Sequence, residues 1–434
     1  MQAATTSPAL KRSLALLALT GILLPVCAQA GVAVDAGAGL SMRYTDNAAL
    51  QASGGQSDWV DSLDLNLGLN QQTGKTRLAA NAAVRQISYR RNTFSDQQYY
   101  SLVADAGWLT LDNRLDWQLQ NTFTQRRISS LNPDIPFNLQ DVNVFRIGPV
   151  WTLPLGPRQD MSLSAQFRRT YYEVSAVDSE QVTTTLGWLY RLSSAFTLTA
   201  NASLNDLRYT ELLANDFTTR SFSLGFSGSV SRSTYALSLG QTRVARAGSP
   251  DQDGGTYRAS WSFTPNPTSS LSLTASSRVS EVSGNLLQTV AEESADTVDD
   301  SADEEILSGT YRNRLTRVSY RKSYKRGGFS LQWQTRSLDY NGTANDREIR
   351  SGNAGMQYRH SSRLTSDFSL QYSNIVVIAQ AREDTVRGVN LNLRYSFSRR
   401  LNGGLGVSRN RRDSTVASSD YMASSVVLSL NAAF

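Results

Sequence analysis

The sequence predicts an all-β protein: a single antiparallel transmembrane β-barrel of about twenty strands (18–22), preceded by a cleaved signal peptide. Three observations carry this. The N-terminus reads as an export leader, the rest of the chain alternates apolar and polar residues with period two, and the connections alternate between short and long. Composition alone points elsewhere: 434 residues with 40% apolar and 18% charged side chains and a mean hydropathy of −0.35 suit an ordinary soluble protein. Composition does exclude several chemistries. One Cys and one His cannot build a structural zinc site, a disulfide framework or a Cys-His catalytic pair. The net charge of +6 is too mild to argue for nucleic acid without a clustered patch.

Residues 1–30 form the leader. Lys11 and Arg12 are its only charges, residues 14–26 are almost wholly apolar, and Ala28-Gln29-Ala30 supplies an A-x-A cleavage site. The apolar run is shorter than the ~18–20 residues that span a bilayer as a helix. Cys27 follows Val26, which is larger than lipoprotein processing expects, so simple cleavage is the reading. It leaves 404 mature residues, 31–434, without cysteine and with no charge-free run long enough for a membrane helix. Such a chain is soluble beyond the inner membrane or a β-barrel.

Alternation decides. Leu63, Leu65, Leu67 and Leu69 alternate with Asp64, Asn66, Gly68 and Asn70; Phe196, Leu198, Ala200, Ala202 and Leu204 alternate with Thr197, Thr199, Asn201, Ser203 and Asn205. Successive strand side chains point to opposite faces, so each such segment has one apolar and one polar face. No helices are predicted to cover the apolar faces, and the segments are long enough to cross a bilayer at a tilt. A bilayer tolerates no open sheet edge, so the sheet must close.

Twenty strands are expected at 33–46, 58–70, 76–90, 98–111, 113–127, 142–154, 160–173, 180–192, 194–209, 216–231, 233–246, 255–264, 269–283, 307–323, 328–340, 350–360, 363–378, 385–398, 400–411 and 420–434. Tight turns at 72–75, 191–194, 231–233 and 325–328 alternate with longer links such as 128–141, 247–254 and 284–306. That is the pattern of short periplasmic turns and long outer loops. Aromatic residues sort to the strand ends: Trp108, Trp151, Trp188, Trp261, Tyr358 and Tyr395 towards the periplasmic end, and Tyr44, Tyr89, Tyr100, Tyr171, Tyr209, Tyr257, Tyr311, Tyr340 and Tyr421 towards the other. Two belts at the lipid interfaces are expected. Phe434 closes the last alternating strand, as an assembly signal read by barrel assembly machinery would.

The polar parity carries Arg43, Arg85, Arg168, Arg278, Arg317, Arg336, Arg359 and Arg394, expected to line the pore. Its acids, Asp35, Asp64, Asp105 and Asp116, all fall in the first five strands. Such a wall either favours anions or holds itself together by cross-strand pairing. Residues 284–306 form an acidic outer loop with Glu292, Glu293, Asp296, Asp299, Asp300, Asp303, Glu304 and Glu305 and no cation. Without it the mature chain holds 41 Lys+Arg against 29 Asp+Glu. A solvated loop is the plain reading, and a gate folded over the basic lumen the sharper one. No metal or cofactor is expected: the calcium-loop spacing is missing and no nucleotide motif occurs. His360 falls at a periplasmic turn, far from any pocket. Few mature residues precede the first strand, which leaves no room for a plug domain.

The segment Gly39-Leu40-Ser41-Met42-Arg43-Tyr44-Thr45-Asp46-Asn47-Ala48-Ala49-Leu50, followed by Ser57-Asp58-Trp59-Val60 and a strand ending Leu67-Gly68-Leu69, resembles the exosortase (PEP-CTERM) system-associated outer-membrane β-barrel proteins. These are similar in turn to the β-barrel porins of exopolysaccharide loci. The likeness in motif covers residues 31–130; beyond that it is one of pattern and length. It implies a barrel linked to extracellular polysaccharide export or assembly, and carries over no catalytic residue. The expected function is a passive outer-membrane pore, not an enzyme, with outer-membrane lipid, an anionic polysaccharide and periplasmic export proteins as partners. A non-conducting docking barrel and a general diffusion porin are the alternatives.

Overall fold

The computed structural model describes residues 31–212, 215–246, 252–281, 306–340 and 344–434. The leader 1–30 and all eight carboxylates of the acidic loop lie outside these residues.

Twenty strands follow one another: β1 (Ala33–Thr45), β2 (Asp58–Gln72), β3 (Thr76–Tyr89), β4 (Gln97–Thr110), β5 (Leu115–Arg127), β6 (Leu139–Gly156), β7 (Gln159–Tyr172), β8 (Ser179–Arg191), β9 (Phe196–Tyr209), β10 (Phe217–Val230), β11 (Ser233–Arg246), β12 (Gln252–Asn266), β13 (Ser269–Glu281), β14 (Thr310–Tyr324), β15 (Gly327–Asp339), β16 (Arg347–Arg359), β17 (Leu364–Val377), β18 (Arg382–Ser396), β19 (Leu401–Ser414) and β20 (Tyr421–Ala433). Each pairs antiparallel with its neighbours in sequence, and β1 closes on β20 from Gly37↔Ala433 to Thr45↔Ser425. The strand number is the one the alternation predicts, and most boundaries agree within two residues. Twenty strands about 4.8 Å apart, tilted about 40°, enclose a ring on the order of 40 Å across.

Parity sets the two faces. Leu40 of β1 lies beside Leu63 of β2 and Leu430 of β20, and all three are exposed. All seven tryptophans lie on this outer face, each 36% exposed or more. Soluble proteins bury most of their tryptophan surface, so an outer face of this kind requires an apolar surround. Trp108, Trp117, Trp151, Trp188 and Trp261 gather near the short turns, as an interfacial belt does. Trp333 of β15 lies flat over Gly352 of β16 and stacks on Tyr372 of β17 (centroids 6.1 Å apart), a course that any side chain on Gly352 would block.

The second expected belt needs correction. Tyr44, Tyr100, Tyr171 and Tyr257 do share the lipid-facing parity, but Tyr89, Tyr209, Tyr311, Tyr340 and Tyr421 have the opposite one. Tyr89, Tyr209, Tyr311 and Tyr340 are buried inside the outer mouth. A single step along a strand exchanges the faces, so position near a strand end does not by itself give a lipid contact. A recurring bond fixes these ends. The backbone N–H groups of Tyr89, Tyr172, Tyr209 and Tyr340 donate to Asp96, Asp178, Asp216 and Asp346, six or seven residues on. Each aspartate thereby ties down a strand end where the ladder stops.

Candidate functional site

The candidate site is the lumen. Charged and polar contacts that reach past a neighbouring strand on the interior parity identify it. Arg77 of β3 reaches past β4 to Asp116 of β5 (Nη2 to Oδ2 2.9 Å), lying over Gly107, where a Cβ would collide with its guanidinium. Gln118 donates to the same carboxylate, Gln120 to Asp105 at 2.6 Å, and Arg146 of β6 to Gln120. Cation and carboxylate thus alternate across β3–β6 as one lateral network.

All eight predicted arginines fall on the interior parity, with different surroundings. Arg43 lies at the outer end of β1 opposite Val60. Arg85 pairs with Asp64, and Arg168 pairs with Glu281. Arg394 stands 3.9 Å from Asp367. Arg278, Arg317 and Arg336, on adjacent strands β13–β15, meet around Asn313 and Gln334. Arg336 Nε donates to Asn313 at 3.2 Å and Arg317 Nε to Gln334 at 2.9 Å. Arg359 and Arg394 share one row, each paired with Thr365 between them.

The register adds interior cations that the sequence reading omitted. They are Arg77, Arg146, Arg191, Arg258 and Arg321 in the wall, and Arg126, Arg246, Arg347, Arg382 and Arg412 at its outer end. It also corrects the expectation that interior acids stop at the fifth strand, since Asp160 of β7, Asp367 of β17 and Asp384 of β18 face inward. The balance is nevertheless uneven. Along β12–β18, below the outer mouth, Asp367 is the one interior carboxylate among the described residues, beside Arg258, Arg278, Arg317, Arg321, Arg359 and Arg394. A low-dielectric wall with one sign in excess concentrates the opposite ion.

Two described segments fold into the outer mouth from inside. The β5–β6 connection, 128–138, crosses to the opposite wall. There Leu131, 7% exposed, packs with Tyr311, Leu338, Tyr340, Ile349, Ile375 and Val377. Its carbonyl accepts from Arg382 (3.0 Å) and Arg412 (2.6 Å), and Ser130 Oγ accepts from Arg347 (2.5 Å). Arg382 and Arg412 also share Asp384, which is fully buried. The second inward segment comes from the β13–β14 hairpin. β12 pairs with β13 only as far as Ser277, whereas β13 and β14 stay paired to Glu281↔Thr310. Above Ser277 the tip leans inward. Val279 packs on Leu207, Phe217 and Val244, and Glu281 meets Arg168 on β7. The N–H of Gly309 donates to Tyr209 Oη at 2.6 Å, and Asn215 Nδ2 to Ser308 Oγ at 2.7 Å. Ile306, at the end of the predicted acidic loop, packs against both the Leu131 cluster and the Val142, Val144, Tyr172 cluster of β6–β7. No periodic signal marks these inward segments in the sequence, and they went unread there.

His360 forms a hydrogen bond with Ser366 Oγ (2.9 Å) at the periplasmic rim, its ring edge-on to Tyr358. Among the described residues no carboxylate bonds the ring. Phe434 lies exposed at the same rim, its N–H donating to Ala36 at 2.8 Å.

A closed sheet with an apolar, tryptophan-bearing outside and a polar, charged inside is an integral membrane β-barrel of the bacterial outer-membrane kind. No protein-family model and no curated protein matches the sequence. Among solved structures, the chain is similar to the FrpB iron transporter of Neisseria meningitidis, F3-3 variant (TM-score 0.49, 10% identity, covering 92% of this chain and 81% of that one). It is also similar to Pseudomonas aeruginosa OccK2 (OpdF), solved in complex with glucuronate (TM-score 0.41, 10% identity, 93% and 98%). A third is the siderophore receptor PirA of Pseudomonas aeruginosa (TM-score 0.46, 9% identity, 92% and 80%).

Proposed function

We propose that the protein is a passive outer-membrane channel for anionic solutes, closed at its outer mouth by segments that must move for passage, and that it catalyses no reaction. One observation carries this: the arginine excess on the described strands β12–β18, which place six interior guanidiniums and a single interior carboxylate on the wall below the outer mouth. Extracellular polysaccharide export, implied by the resemblance of residues 39–69, is the finer reading, and an acidic glycan suits a lumen of this sign. Phe434 serves as the assembly signal.

The test is the reversal potential of the purified barrel in planar bilayers under a potassium chloride gradient. The expected potential has the sign of chloride selectivity, and Arg317→Gln with Arg359→Gln reduces it. Cation selectivity, or a barrel that never conducts, refutes the reading. In the second case the docking-barrel alternative is the one left.

A further inference from the structure

Charge divides sharply along the barrel axis. Three consecutive periplasmic turns, between β14 and β19, carry Lys325, Arg326, Arg363, Arg399 and Arg400. Four of the other turns add Lys75, Arg114, Arg158 and Arg232, and the single acid of all nine turns is Asp112. All nine cations are exposed, and none makes an ion pair with a described carboxylate. The outer connections are the reverse. Their cations are Arg90 and Arg91, against nine carboxylates in the described stretches, and the sequence adds Asp251 and the eight of 284–306. Five of those outer carboxylates tie down strand ends by accepting backbone N–H groups, which explains their positions and leaves their charge in place.

The β14–β19 turns are continuous with the lumen. Directly above them lie Arg359 and Arg394, paired with Thr365 from both sides and both exposed. The arc of exposed cations and this first interior row form one positive surface that runs from the periplasm into the pore. A mobile anion gains attraction at each step inward from that side. From the outer side it first meets a negative rim.

We propose that the β14–β19 arc is a capture site for a flexible polyanion bearing carboxylate or phosphate groups, so that the channel loads from the periplasm. This rests on the anion-channel reading above and adds a site and a side to it. Steering by a charged mouth raises association rates about 10- to 1,000-fold. Several cations removed together therefore lower the rate by tenfold or more, and the effect shrinks as salt rises.

The test is block of single-channel current by a galacturonate hexamer and, separately, by short-chain inorganic polyphosphate, in the wild type and in Leu131→Ala. A cysteine introduced at Ser53 and labelled from one side reports orientation. Block from the periplasmic side is expected at least tenfold faster than from the outer side. It falls at least tenfold in the combined Lys325→Glu, Arg326→Glu, Arg399→Glu, Arg400→Glu variant, and about threefold with glutamine at the same positions should the glutamate form fail to assemble. Block by the hexamer alone assigns a carboxylate chain, by polyphosphate alone a phosphate chain, and by both the shared chemistry. Equal rates from the two sides, or rates unmoved by the variants, overturn the capture site while chloride selectivity leaves the channel reading standing. If the variants alter only insertion into phosphatidylglycerol bilayers, the arc belongs to the lipid leaflet and the proposal falls. A barrel that conducts in neither form, or selects cations, overturns the channel reading itself.

Discussion

Leu131→Ala tests whether the β5–β6 connection is the closing element. The leucine is 7% exposed and packs against residues of β14–β17 on the wall opposite its own strands. Truncating a buried leucine costs about 2–5 kcal/mol, depending on how far the site collapses. The low end applies, because one side of this cavity is a connection free to adjust. About 2 kcal/mol lost only from the docked state raises the ratio of undocked to docked connection about thirtyfold. The strand ladder is untouched, so circular dichroism and the thermal transition of the barrel stay at their wild-type values. In planar bilayers the open fraction, or the frequency of opening if closures dominate, rises by about that factor. Leu163→Ala removes the same atoms from the lipid face of β7 and serves as control. An open fraction unchanged in Leu131→Ala, or raised equally in Leu163→Ala, refutes the assignment.

Parity gives a paired prediction on β20. Leu428→Arg, on the lipid face, is expected to cost about 2–4 kcal/mol in urea unfolding followed by tryptophan fluorescence, and Ser429→Arg, one residue on and facing the lumen, close to nothing. Equal effects would mean the faces are misassigned. Arg168→Gln removes the guanidinium that pairs with Glu281, whose side chain is 12% exposed. The β13–β14 tip is then expected to lose about 2–3 kcal/mol of docking, read as faster subtilisin cleavage at 306–309 in detergent, with the rest of the barrel resistant. Asp384→Asn leaves two guanidiniums, 10% and 6% exposed, around a neutral amide. A loss of about 3–5 kcal/mol is expected in the same urea assay, and an unchanged midpoint would show that water already screens the pair.

The wall was legible because its signal is local. Facing lipid demands an apolar residue at every second position of each strand, and the run from Leu63 to Leu69 states this without reference to any other strand. Parity alone also places Arg77, which shares a face with Arg85, and Arg258, which alternates with Tyr257 and Ala259, inside the barrel. The Tyr-to-Asp spacing of six or seven residues, repeated from Tyr89 to Tyr340, was a further unread signal. What the sequence could not show is contact across the lumen. Leu131 lies in a polar connection of no period, and its partners are some two hundred residues away in β14–β17. Nor does the alternation around Asp367 and Asp384 say that the first would meet Arg394 and the second two arginines at once. The Leu131 contacts depend on closure, which places strands some ten apart in sequence face to face, whereas the Asp367 and Asp384 pairs are set by side-chain reach within and between the neighbouring strands β17–β19.

The two closing segments differ in what it costs to withdraw them. When the 128–138 connection leaves, Arg382 and Arg412 lose the Leu131 carbonyl but keep Asp384, so each guanidinium on the wall still has a carboxylate against it. The vacated acceptor is replaced by water entering the widened mouth, and the main loss is the burial of Leu131. When the β13–β14 tip leaves, Glu281 goes with it and Arg168 is left against Arg146 on the next strand, a like-charge neighbour. Removing one partner of a buried pair costs more than removing an apolar contact. The tip must also give up the Val279 and Ile306 contacts and the bond from Gly309 to Tyr209. Local openings are drawn from the least stable parts of a fold. The 128–138 connection is therefore the segment expected to move first, and the hairpin tip the one expected to stay docked.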